Sequence, residues 1–84
     1  MTLEALRDAK KVVGVKQVTK AVGKGLAKRV FFAADADARV LHPLKVLCAE
    51  KEVELLEADS MRTLGKACGI EVGAAAVAVL DSPC

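Results

Sequence analysis

Lys16, Lys20 and Lys24 follow one another at four-residue steps, with Gln17 beside the first of them. On a helix that spacing stacks three ammonium groups on one side, and each like-charged i,i+4 pair costs about 0.2–0.5 kcal/mol. Such a set binds rather than reacts. Adjacent positive charges suit closely spaced phosphates, and an amide that both donates and accepts suits the edge of a base. Gly14 immediately precedes the segment. With no side chain there, a ligand backbone can approach the free N–H groups of a helix start. Positive charge, backbone donors and an amide at one place imply a folded RNA as the ligand.

Other chemistries find less support. His42 is the only histidine and stands next to Pro43, a place that suits a helix cap or an exposed loop better than half of a Cys/His pair. Cys48, Cys68 and Cys84 are scattered and lack CxxC spacing, so neither a disulfide framework nor a zinc site is indicated. Cys68 falls near an expected helix C-terminus, where the dipole raises a thiol pKa, and reads as a packed small hydrophobe. Asp35 and Asp37 are two carboxylates without a third clustered ligand, and capping and turn formation explain them better than a metal. Neither GKG at Gly23 nor LGKACG at Leu64 has phosphate-loop spacing. No enzyme, cofactor, metal or small-molecule substrate is expected. Phe31 and Phe32 are the only aromatic residues, and both lie in a core-like strand, so RNA is recognised through charge, hydrogen bonding and shape rather than stacking.

The elements that must position these residues follow from the apolar pattern. Leu3, Leu6 and Lys10 with Ala5 and Ala9 suggest a short first helix, and Val12 and Val13 a brief extended step ending at Gly14. Val15, Val18, Ala21 and Val22 share one helical face and leave the lysines opposite; Gly23 or Gly25 ends this helix. Arg29 to Ala34 reads as a buried strand, and DADA as a turn. His42-Pro43 marks a helix start, with Leu44, Leu47 and Cys48 as its apolar stripe. Glu54 to Leu56 is a short strand, Asp59-Ser60 caps a helix through Met61, Leu64 and Ala67 that Gly69 closes, and Ala74 to Leu80 is a last buried strand. Alternating helices and strands predict an α/β fold, a three-layer α/β/α sandwich around a small mixed four-stranded sheet.

A chain of 84 residues forms one domain, with residues 81–84 expected to be a frayed tail. The longest uncharged apolar run, Val72 to Leu80, is far shorter than the ~20 residues of a membrane helix, so no membrane role is expected. Glu4, Arg7 and Asp8 interrupt what a signal peptide would need, which points to the cytoplasm. Charge is divided along the chain. From Arg7 to Arg29 eight cations stand against Asp8 alone, net +7, whereas from Asp35 to Asp59 seven acids outnumber three cations, net −4. So uneven a split in a small domain points to a polyanion-binding face. The alternative it leaves open is a protein-interaction module whose acidic region around Glu50, Glu52, Glu54 and Glu57 engages a basic partner.

Taken together, GVKQVTKAVGKG, AADAD, LCAEKEV and SMRTLGKACGIEVGAAAVAVL make the chain resemble the kink-turn RNA-binding ribosomal proteins of the L-seven-Ae type, especially the short bacterial YbxF/YlxQ-like members. The resemblance spans about residues 4–80. It implies an α/β/α sandwich that stabilises kink-turns, internal loops with tandem sheared G·A pairs and a sharply bent backbone; a monomer is expected. The family's second-helix signature is G-x-N-E-x-x-K, in which Asn and Glu contact guanines and Lys meets the backbone. Gly14 and Lys20 match it, while Lys16 stands where Asn is typical and Gln17 where Glu is. Lys16 can only donate; Gln17 keeps an acceptor but loses the charge that strengthens it. The resemblance also implies a second contact in the loop of Ile70, Glu71, Val72 and Gly73, where Ile70 and Val72 would cover a flipped-out nucleotide. Whether ribosomal RNA or another kink-turn RNA is the partner stays open.

Overall fold

Residues of successive strands alternate between two apolar clusters, and that alternation sets the layers. The computed structural model describes residues 10–80. Its elements are β1 (Lys11–Val13), α1 (Val15–Gly23), β2 (Ala27–Ala33), α2 (Ala38–Glu50), β3 (Glu54–Ala58), α3 (Met61–Ala67) and β4 (Ala76–Leu80). The strands form one sheet in the order β1-β4-β2-β3, with β2 and β3 parallel and the other two pairings antiparallel. On one face Val18, Ala21 and Val22 of α1 and Leu44 and Cys48 of α2 pack against Val30, Ala76 and Ala78. On the other, Leu64 and Cys68 from the α3 region pack against Phe31, Ala33, Ala58, Val77 and Val79. This is the mixed-sheet α/β sandwich that the alternation of elements predicts.

The pairings bring the ends of β1, β2 and β3 and the start of β4 to a single edge of the sheet, because Val13 stands opposite Val77, Phe32 opposite Ala76, and Ala33 opposite Ala58. All three helices therefore begin at that edge. They also finish alike. After α1, Gly25 N–H bonds to the Val22 carbonyl and Leu26 N–H to that of Ala21; after α3, Gly69 and Ile70 repeat the pattern on Lys66 and Gly65. These are Schellman closures, which need one residue at positive φ; Gly25 and Gly69 supply it at 73° and 79°. After α2 the same position is Glu52, at φ 57°. No glycine marks that helix end in the sequence.

Several boundaries differ from the sequence reading. α2 starts at Ala38 rather than at His42-Pro43, because Asp37 caps it by accepting from the Arg39 N–H at 2.9 Å. Pro43 lies inside the helix, and exposed His42 is a helical surface residue rather than a cap. β2 begins at Ala27, β3 continues to Ala58, and β4 starts only at Ala76. Apart from Lys10, the first helix expected from Leu3 onward lies outside the described residues, as does the tail at 81–84. Among the described residues no helix is long and apolar enough to cross a membrane.

Candidate nucleic-acid interface

The start of α1 is built by two glycine-dependent features and one missing cap. Gly14 sits at φ 101° and ψ 143°, a conformation close to glycine-only, and its N–H donates to the Ala76 carbonyl at 2.9 Å. That bond holds the helix start against the first residue of β4. Space beside Gly14 is open: a Cβ there would meet nothing within 4 Å. Among the described residues no side chain caps the helix, and its first turn holds no acid. The N–H groups of Val15, Lys16 and Gln17 have no carbonyl one turn earlier to bond, so they face outward with the positive end of the helix dipole.

Burial fixes which side of α1 is presented. Val18, Ala21 and Val22 are buried, and Lys16, Gln17, Lys20 and Lys24 are exposed. Lys24 is the residue that caps the helix C-terminus, so the ladder runs the helix's full length. Among the described residues none of these lysines forms a salt bridge, whereas Arg29 pairs with Glu54 at 4.0 Å and Arg39 with Asp37 at 3.6 Å. Lys45 is engaged otherwise, with Nζ 4.4 Å from the centre of the Phe32 ring. Among the described residues no acid offsets the ladder's mutual repulsion.

The second predicted region, Ile70 to Gly73, returns along α3 toward the same edge. Its path is fixed by backbone contacts: Ala74 N–H donates to the Met61 carbonyl at 3.0 Å, and Gly65 lies so close that a Cβ on it would overlap the Val72 carbonyl oxygen. The two apolar side chains then part company. Ile70 is partly buried against the α3-side core, as ordinary packing would have it, whereas Val72 is 71% exposed on a loop whose backbone is held. Glu71 is exposed beside them. Together with Arg62 and Lys66 of α3, residues 70–73 line an open hollow of about 310 Å³. The sequence reading did not single out Arg62 and Lys66. Their i,i+4 spacing just before the loop was the available signal.

The remaining candidates play structural parts. Asp35 Oδ1 accepts from the Met61 N–H at 2.7 Å, so this carboxylate caps α3 from across the sheet edge, and Asp37 caps α2. Among the described residues no group of three or more His, Cys, Asp or Glu residues is placed to hold a metal. Cys48 and Cys68 are buried and free. Burial pushes the Cys48 thiol up; it pushes the Cys68 thiol up too, against a smaller opposing pull from Lys11. Neither has the lowered pKa of a reactive thiol.

Known proteins resemble this chain in both sequence and fold. The chain is 48% identical over 69 residues to a protein of Bacillus pumilus named "RNA-binding protein", covering 82% of this chain and 84% of that one. It is 43% identical over 77 residues to "RNA-binding protein YbxF" of Geobacillus stearothermophilus, covering 92% and 94% respectively. Among solved structures, a Giardia lamblia 15.5kD RNA binding protein superposes with a TM-score of 0.87 at 26% identity, covering 96% of this chain and 72% of that one. A Bacillus halodurans protein described as of unknown function also reaches a TM-score of 0.87, at 25% identity, covering 95% and 84%. The model of the ribosomal protein L7Ae/L30e/S12e/Gadd45 family matches residues 2–84, and the chain belongs to that family.

Proposed function

We propose that this chain is a non-catalytic RNA-binding protein that docks the start of α1 into a kink-turn and stabilises its bend. The observation that carries the reading is the start of α1: outward backbone donors, a glycine that leaves room for a close approach, and an exposed lysine ladder that no acid among the described residues pairs. Lys20 and Lys24 neutralise phosphates that the bend crowds together; Lys16 and Gln17 meet the edges of the sheared G·A pairs. Val72 covers an unpaired nucleotide from the neighbouring loop. Binding favours the bent RNA over the extended one, so the protein shifts an existing equilibrium and needs no chemistry.

Support comes from family membership and from relatives named as RNA-binding proteins. A structured cellular RNA, ribosomal or regulatory, is the expected partner, met in the cytoplasm by a monomer. The test is a fluorescence-anisotropy titration of the protein with a tandem G·A kink-turn hairpin and with a straight duplex of equal length. Kinked RNA should bind at least tenfold more tightly, a difference of about 1.4 kcal/mol. With three or four phosphates neutralised, log K should fall against log salt with a slope of about −2 to −4. Equal affinity for the two RNAs would refute the reading.

A further inference from the structure

The hollow between α3 and the α3–β4 loop offers two walls of different chemistry. Arg62 and Lys66 rise one helical turn apart on the α3 side, and Ile70, Glu71, Val72 and Gly73 form the other. Both cations are exposed, and among the described residues neither side chain has an ion-pair or hydrogen-bond partner, Glu71 included. The Gly65 contact to Val72 and the Ala74–Met61 hydrogen bond hold the two walls together. The Gly14–Ala76 hydrogen bond ties the first residue of β4, which this loop leads into, to the start of α1.

We infer that Arg62 and Lys66 are a second phosphate-holding pair, which grips the backbone of the RNA strand after it has bent across the α3–β4 loop; the inference rests on the kink-turn reading above. Guanidinium forks and ammonium groups are the side chains that take phosphate oxygens, Arg in bidentate fashion and Lys as a point charge. Glu71 fixes which way round the strand lies. Its carboxylate repels phosphate, so the phosphates run along the α3 wall and the sugar and base edges, which carry donors, face the loop. A straight duplex seated on α1 follows one direction and does not turn onto α3, whereas a strand that kinks at the loop does. Arg62 and Lys66 therefore contribute to discrimination between bent and straight RNA as well as to affinity.

The experiment compares the wild-type chain with the Arg62→Gln/Lys66→Gln double variant, each titrated at several salt concentrations with a tandem G·A kink-turn hairpin and with a straight duplex. Both side chains are exposed, and matching thermal melts confirm that the fold is intact. On the kinked RNA the double variant should lose about tenfold in affinity, and the salt slope should flatten by about 1–2. On the duplex neither should change. An unchanged slope on the kinked RNA, with the wild type still preferring it, overturns this inference alone. Equal flattening on both RNAs overturns it too, by reducing the pair to unspecific charge. A wild type indifferent to the kink removes the kink-turn reading and this inference with it.

Discussion

The starts of α1 and α3 lie on one sheet edge and are built in opposite ways. α3 is closed off from within: Ser60 Oγ accepts from the Thr63 N–H at 3.0 Å, Asp35 takes the Met61 N–H, and the following loop presses its Val72 carbonyl against Gly65. α1 has no side-chain cap, no acid in its first turn, and a glycine where α3 has its serine. A chain that satisfies two N–H groups of one helix start with side-chain acceptors is able to cap helices. On the proposed reading, the other start is left open beside the lysines of α1 for acceptors that come from outside. The two glycines make the same contrast. Gly65 is required because space is absent, Gly14 because the backbone turns where other residues rarely go.

The largest effect should come from breaking the closed side. Gly65→Ala would gain about 1 kcal/mol of helix propensity in a free helix. Here the added methyl meets the Val72 carbonyl, a backbone atom that no rotamer change can move aside. Overpacking of this kind costs up to about 3 kcal/mol net, and in a domain of this size that lowers the thermal midpoint by roughly 15 °C. A thermal melt within a few degrees of wild type would show that the loop is free to slide, and the contrast between the two helix starts would lose one of its supports.

Gly14→Ala should come next, at about 1–3 kcal/mol, for the opposite reason: nothing lies near the new methyl, and the cost is the strain of φ 101° alone. Replacing Gly14 by Asn should cost about as much as Ala, since Asn tolerates positive φ only near the left-handed helical region and ψ 143° lies outside it. At Gly65 Asn should cost more than Ala, because the overlap grows with side-chain size. Urea denaturation of the four variants distinguishes strain from overlap, and identical rankings at the two positions would contradict the assignment. Ser60→Ala should cost less again, about 1 kcal/mol, because it removes the Thr63 N–H acceptor while the Asp35 bond to Met61 survives. If Ser60→Ala were neutral, the serine cap would be redundant with the aspartate.

These positions also show what could be read ahead of the coordinates. The β1–α1 junction, the lysine face and the cap at Ser60 follow from local pattern, in which a residue and its partner are at most four positions apart. What the pattern did not contain was long-range or contrary to propensity. Asp35 reaches Met61 from 26 residues away. Glu52 adopts the positive φ for which glycine is the usual signal. Pro43 sits within α2 because the Asp37 cap starts that helix five residues before the expected place. The separation of Ile70 from Val72 was hidden for the same reason: which of two apolar loop residues turns inward depends on Gly65 gripping the backbone between α3 and the loop.

The smallest expected change in stability tests the comparison most directly, because it should carry the opposite sign in binding. Lys16 lies in the first turn of α1, where a positive charge opposes the helix dipole and stands one turn from Lys20. Lys16→Glu reverses both interactions at once, placing an acid beside the open N–H groups and an i,i+4 Glu-to-Lys pair on the surface. The free protein should become more stable by about 0.5–1 kcal/mol, visible as a rise in the urea midpoint. The same substitution puts a carboxylate where phosphate oxygens or guanine acceptors would lie, so kink-turn affinity should fall at least tenfold, about 1.4 kcal/mol. A helix start shaped only for folding would gain stability from the change and lose nothing. One kept open for an outside anion forgoes that stability while free, and regains it only when the ligand arrives. A Lys16→Glu variant both more stable and undiminished in RNA binding would assign the open start of α1 to chance rather than to its ligand.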